Sequence, residues 1–244
     1  MRHRFFVATD QIQDDEVRFT VDQTHQIRSV LRLRAGAEVL VFDGHTPDDL
    51  VVELLDPGRG RIVSERPQAA EPKTRLVVYP ALLQRDKFES VVQKLTEIGV
   101  AAIAPVITAR GLVREPPDDH RLARWRSILR EAAEQSGRGV VPELLPVSVF
   151  AEAIGGAPGT VIMAYERERQ LGLRDVLRDS ATRARVSLFV GPEGGYAPEE
   201  AECARRVGAR LITLGPRILR TETASPLLAA LVLHELGDLS FSSE

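Results

Sequence analysis

Val186-Ser187-Leu188-Phe189-Val190-Gly191-Pro192-Glu193-Gly194-Gly195-Tyr196 takes an apolar run straight into a glycine-rich turn. Five apolar or small residues bounded by glycine read as a buried strand. Pro198 then suits the first position of a helix. The same rhythm recurs on either side: strands are expected at Arg75–Leu82, Ala102–Val106, Thr160–Ala164 and Leu211–Leu214, each followed by a helix. Strands that alternate with helices predict an α/β fold with a mostly parallel sheet covered on both faces. The helix after Asp86 places Phe88, Val91, Val92, Leu95 and Ile98 on one stripe and stops at Gly99. The last helix, read as starting at Ser225-Pro226, is apolar nearly all round, which calls for a central position or a subunit interface.

Upstream the pattern changes. Arg4–Ala8, Val17–Val21, Glu38–Phe42, Leu50–Leu55 and Gly60–Glu65 read as short strands, with Asp22 capping a helix through about Arg32. Closely spaced strands suggest a small β-barrel. Pro67-Gln68-Ala69-Ala70-Glu71-Pro72 reads as a linker, so a barrel domain is expected over 1–70 and the α/β domain over 73–244.

Composition removes several classes. With 43% hydrophobic and 27% charged residues, a packed core is expected and disorder is not. No run approaches the roughly 20 apolar residues that span a bilayer, and Met1–Val7 lacks the features of a secretory signal. A cytoplasmic protein without a membrane partner is expected. Cys203 is the single cysteine and the five histidines are scattered, so neither a disulfide nor a metal site is expected. The net charge of −3 argues against nucleic acid only as a total, because local distribution governs binding. Arg2, Arg4, Arg18, Arg28, Arg32 and Arg34 give the N-terminal third a basic character, with Arg28 and Arg32 at i and i+4 of one helix face.

Three segments are candidates for chemistry. The carboxyl end of a parallel strand is where open α/β sheets bind ligands, which favours Gly191–Gly195, although a plain tight turn fits the same spacing. Leu214-Gly215-Pro216-Arg217-Ile218-Leu219-Arg220-Thr221-Glu222-Thr223-Ala224 also leaves a strand end, and it sets two arginines and a glutamate beside an apolar helix. Glu134-Gln135-Ser136-Gly137-Arg138 reads as a helix terminus, with Gly137 at the cap and Arg138 on the dipole.

Taken in order, these segments resemble the bacterial 16S ribosomal RNA uracil-N3 methyltransferases of the SPOUT superfamily. Arg4-Phe5-Phe6, His25–Arg32, Phe42-Asp43-Gly44, Lys87-Phe88-Glu89 and Lys94–Val100 extend the match over nearly the whole chain. The resemblance implies a C-terminal SPOUT domain with a deep trefoil knot, preceded by a PUA-like β-barrel that helps hold RNA. It implies a homodimer formed through the knot region, acting on 16S ribosomal RNA within the small ribosomal subunit. S-adenosylmethionine, with no metal, is the implied cofactor. Its expected contacts are Gly191, Pro192, Glu193, Gly194, Gly195, Leu214, Gly215, Ile218, Leu219, Thr221 and Thr223, with a further loop after Ala164. That loop, Tyr165-Glu166-Arg167-Glu168-Arg169, matches the family poorly. Ala197 stands where a hydroxyl cap is usual.

The implied reaction needs charge stabilised on a uracil that loses its N3 proton. Arg220 is assigned that catalytic role; a guanidinium stays protonated and cannot be the base. Arg4, Arg28, Arg32 and Arg217 are assigned to the RNA, with a structural role open for Arg217. Glu222 reads either as a base or, by default, as an arginine's partner. Two rivals are a ribose 2′-O methyltransferase of the same superfamily and a non-catalytic ribosome assembly factor. Nucleoside fragmentation separates the first and a cofactor titration the second.

Overall fold

The computed structural model describes residues 3–67, 71–84, 86–178 and 184–239; Arg2 and the linker residues Gln68–Ala70 lie outside them. The chain forms two compact units, Met1–Glu71 with Arg130–Val141, and Pro72–Leu129 with Pro142–Glu244.

The first unit is built on a six-stranded sheet in the order β1-β4-β5-β6-β3-β2. Its strands are β1 (Arg4–Phe6), β2 (Ile12–Gln13), β3 (Glu16–Arg18), β4 (Glu38–Phe42), β5 (Asp49–Asp56) and β6 (Arg59–Arg66). Only β1 and β4 pair in parallel; the other pairs are antiparallel. Phe5, Val17, Phe19, Ile27, Val39, Val41, Val52 and Leu54 form its core. The expected helix from Asp22 to Arg32 is shorter and starts earlier. Thr20 is the cap: its hydroxyl accepts the Gln23 N–H at 3.2 Å, and the Gln23 side chain accepts the Thr20 N–H at 2.9 Å. Helix α1 (Val21–His25) then gives way to a wider turn over Gln26–Val30, and Arg32 lies at φ +55°. Arg28 and Arg32 are both exposed but do not share a continuous α-helical face.

The second unit holds a six-stranded parallel sheet in the order β10-β8-β7-β13-β12-β14. These are β7 (Arg75–Pro80), β8 (Ala102–Ile103), β10 (Glu143–Leu144), β12 (Thr160–Ala164), β13 (Arg185–Val190) and β14 (Arg210–Ile212). β9 (Val106–Ile107) pairs with β11 (Ser148–Val149) in a separate two-stranded sheet. Pro105, which has no N–H to donate, lies in the interruption between β8 and β9. Helices α2 (Asp86–Ile98), α3 (Asp119–Ser136), α4 (Phe150–Gly156), α5 (Leu173–Leu177), α6 (Pro198–Arg206) and α7 (Thr221–Glu235) connect or cover the strands. Phe189 sits at the centre of the core, stacked on Tyr79 at 4.3 Å and edge-on to Phe150 at 5.9 Å.

Helix α7 packs on α2, α5, β7 and β13. It begins at Thr221, not at Ser225-Pro226, so Pro226 lies inside it and leaves the Glu222 carbonyl without its usual helical donor. Leu228, Ala229, Val232 and Leu233 are buried, while Leu227 (39% exposed) and Leu231 (36%) form a second, outward apolar stripe.

Candidate functional site

The sheet order puts β13, β12 and β14 side by side and parallel, so their carboxyl ends open at one edge. Three loops leave that edge and line one cavity of about 400 Å³. Tyr165, Glu166 and Arg169 come from the loop after β12, Gly191–Gly195 from the loop after β13, and Thr213–Leu219 from the loop after β14. Thr221 and Ala224 of α7 complete the wall. The loops around Gly191 and Leu219 are joined directly: the buried Thr221 hydroxyl donates to the Gly191 carbonyl at 2.6 Å.

Local chemistry explains why the glycines stand where they do. A methyl group on Gly191 would lie 3.0 Å from the Tyr196 ring. Gly195 has φ +66°, and a methyl there would lie 2.5 Å from Oε1 of Glu166. The missing hydroxyl cap at Ala197 is offset from the other side. Glu200, largely buried, accepts the Ala197 N–H at 2.8 Å and the Ala109 N–H at 2.9 Å. Tyr196 is fully buried with no hydrogen-bond partner for its hydroxyl among the described residues; burial first, then the charges of Glu200 and Glu166, hold its pKa well above the usual value.

Charged groups crowd the cavity mouth. Glu193 lines the cavity and accepts from Lys87 at 2.8 Å. Burial works against its charge, but the Lys87 hydrogen bond prevails and holds its carboxyl below the usual range. The same bond raises the Lys87 ammonium, with Glu222 reinforcing the shift and Arg220 opposing it. Arg220 caps α7 and its side chain is 78% exposed, 3.9 Å from Glu222. Glu222 Oε2 and Ser225 Oγ are buried without hydrogen-bond partners among the described residues.

Of the sequence-derived cofactor contacts, all but Thr223 line the cavity; Thr223 is exposed on α7. Arg217 lines the cavity and Arg220 stands beside it. Arg4 corrects the sequence expectation. Within the first unit its side chain is 9% exposed, and its guanidinium bonds Asp49 at 2.7 and 2.8 Å, lies 3.7 Å over the Phe42 ring and donates to the carbonyls of Ala133, Glu134 and Arg138. It is a structural tie with no donor left for RNA. Arg4, not Arg138, is the cation on the end of α3, since Arg138 turns to Glu71 at 2.7 Å. Gly137 closes that helix at φ +80°, as the sequence predicts.

An RNA methyltransferase domain model matches residues 70–233. A protein of Synechocystis sp. named ribosomal RNA small subunit methyltransferase E is 32% identical over 94% of this chain and 77% of its own length. The chain belongs to that methyltransferase family. Its Bacillus subtilis member is 28% identical over 99% of this chain and 97% of its own. The crystal structure of the Neisseria gonorrhoeae member, bound to S-adenosyl methionine, aligns with TM-score 0.86 and 31% identity over 98% of this chain and 100% of that one. A methyltransferase from Legionella pneumophila in complex with the same cofactor aligns with TM-score 0.82 and 26% identity, covering 96% of this chain and 98% of that one.

Family motifs drew attention to the glycine loop and the arginine loop. The resemblance places the loop after Ala164 at the cofactor without singling out Glu166 or Arg169, and nothing in the sequence points to Arg110, whose guanidinium donates to the Gly194 carbonyl at 3.5 Å. The available signal was positional: Glu166 and Arg169 follow the end of a strand that pairs with both β13 and β14. Among the described residues no group of three or more His, Cys, Asp or Glu is placed to hold a metal, and no helix is long and apolar enough to cross a membrane.

Proposed function

We propose that this chain transfers a methyl group from S-adenosylmethionine to N3 of a uridine in 16S ribosomal RNA. The observation that carries the reading is the Thr221–Gly191 hydrogen bond, which ties two distant loops over one cavity. The residues fit the cofactor. Leu214, Ile218, Leu219 and Val190 offer apolar surface for a purine, and the glycine backbone offers donors and acceptors at close approach. Bound there, the cofactor supplies a sulfonium methyl whose carbon–sulfur bond breaks as a carbon–nitrogen bond forms, leaving S-adenosylhomocysteine and releasing the N3 proton.

The chain's own residues hold and polarise the base. Arg220, exposed at the mouth, donates to a uracil carbonyl oxygen as N3 loses its proton. Glu222, 3.9 Å away, orients that guanidinium. Arg217 at the cavity rim and Arg28 and Arg32 on the first unit contact phosphates. N3 lies on the Watson–Crick edge, so the uridine must be unpaired or flipped to enter. The first unit is read as a PUA-like barrel and the second as a SPOUT domain. A trefoil knot is consistent with α7 returning from edge strand β14 to pack on β7 and β13. The outward stripe of Leu227 and Leu231, with Ile218 at 89% exposure, suits a second copy of the chain. The site of action is the cytoplasm, on the small ribosomal subunit.

Nucleosides from ribosomal RNA of a strain lacking this protein are compared with those of its parent by mass spectrometry. The reading requires loss of one N3-methyluridine. A missing methyl on ribose supports the 2′-O rival, and an unchanged set supports the assembly factor.

A further inference from the structure

The loop after β12 brings to the cavity a carboxylate that neither the motifs nor the reaction uses. We infer that Glu166 binds the ribose hydroxyls of the methyl donor; this rests on the cofactor reading above. Two carboxylates line the cavity, Glu166 and Glu193. Glu193 is engaged by Lys87 at 2.8 Å, whereas the Glu166 side chain has no hydrogen-bonding or ionic partner among the described residues.

Its position is built rather than incidental. The Glu166 carboxylate lies where a side chain on Gly195 would stand, so the glycine loop and the β12 loop are shaped to each other. Arg169 donates to the Glu166 carbonyl at 3.0 Å, which holds the loop's turn. Glu168 fixes the same turn by accepting the N–H groups of Arg169 and Gln170, each at 2.8 Å. The turn is therefore rigid and the carboxylate at its start is left facing the cavity. A carboxylate is acceptor-only, with two oxygens that match the two adjacent O–H donors of a ribose. An acidic side chain near a glycine-rich loop recognises ribose in this way in dinucleotide sites. In the proposed reading the purine lies on Leu214, Ile218, Leu219 and Val190 with the glycine backbone beside it, so the carboxylate against Gly195 is placed for the sugar joined to that purine.

Isothermal titration calorimetry of Glu166→Ala and Glu166→Gln tests this without any turnover. The probes are S-adenosylmethionine, S-adenosylhomocysteine and 5′-methylthioadenosine. All three share the ribose; the second lacks the positive sulfur and the third lacks both that charge and the amino-acid end. Glu166→Ala is expected to weaken all three by about tenfold, the scale of a lost hydrogen bond to a charged group, with Glu166→Gln in between. The parent is also expected to bind the 2′-deoxy form of S-adenosylhomocysteine more weakly than the parent compound, and Glu166→Ala to erase that difference. Weakening of S-adenosylmethionine alone would assign Glu166 to the sulfonium and overturn the inference. Sparing of methylthioadenosine alone would assign it to the amino-acid end, with the same consequence, and unchanged binding of all three also overturns it. A parent protein that binds none of the probes sinks the cofactor reading itself. Unchanged circular dichroism shows that the exposed substitution leaves the fold intact.

Discussion

Arg4 and Arg220 are the same residue type put to opposite uses in the two units. In the first unit Arg4 is buried against a fully buried Asp49, and Arg138 is buried against Glu71. Their donors end on carboxylates and carbonyls inside the unit. In the second unit Arg220 and Glu166 are exposed at a cavity mouth or wall, and the ion pairs there are long or solvent-facing. A buried pair stabilises only while both partners remain, and an exposed one contributes little to stability. The charge of Arg4 and Arg138 is therefore structural. Charge around the cavity is available to a ligand.

That contrast is tested most severely at Arg4. Arg4→Ala strands the Asp49 carboxylate in the interior and is expected to cost about 3–5 kcal/mol in denaturant unfolding. If the variant keeps its stability and loses only RNA affinity, the charge of Arg4 is not structural and the contrast fails. Arg220→Ala inverts the pattern. Stability should be unchanged and S-adenosylmethionine binding retained, while methylation falls by roughly 10²–10³-fold, as for loss of one preorganised donor. Normal turnover in a methylation assay on small ribosomal subunits removes the catalytic assignment.

The sequence made the second unit's layout legible because its strands are continuous apolar runs and its breaks are glycine and proline. The sequence-read bounds of α2 and the end of β13 at Val190 match the structure. Two boundaries were not legible, for local reasons. Ser225-Pro226 has the appearance of a helix start, yet α7 begins four residues earlier, where the buried Thr221 hydroxyl finds the Gly191 carbonyl across the cavity. Asp22 looks like a cap, but Thr20 wins because Gln23 sits where it can return the bond. Arg4 could not be assigned from sequence at all. Its partners Asp49 and Ala133 lie 45 and 129 residues away, and nothing in its own segment points to them. The resemblance places the Glu166 loop at the cofactor but gives Glu166 no role, for a related reason: its place against Gly195 comes from strand order.

A smaller effect probes how the cavity is closed. Thr221→Val keeps the shape of the side chain and removes the donor to Gly191. The loss should be about 1 kcal/mol, read as roughly fivefold weaker S-adenosylmethionine binding by calorimetry. Unaltered affinity means that the two loops meet without that bond.

The smallest effect returns to the first unit, where burial acts on Glu134. Burial raises its carboxyl above the usual 4.5, against the opposing influence of the Phe6 N–H and the Arg4 charge, with Glu131 adding to the rise. The folded chain thus holds this proton to higher pH than the unfolded chain does. Folding then binds protons as pH rises through the unfolded value, so this group's contribution to stability falls between 4.5 and the raised folded value and stays low above it. Glu134→Gln keeps an acceptor for the Phe6 N–H and removes the titration. Relative to the parent, the variant should gain stability from pH 4 to pH 7 in parallel denaturant titrations. A constant difference across that range means that the half-buried carboxyl carries no linked proton.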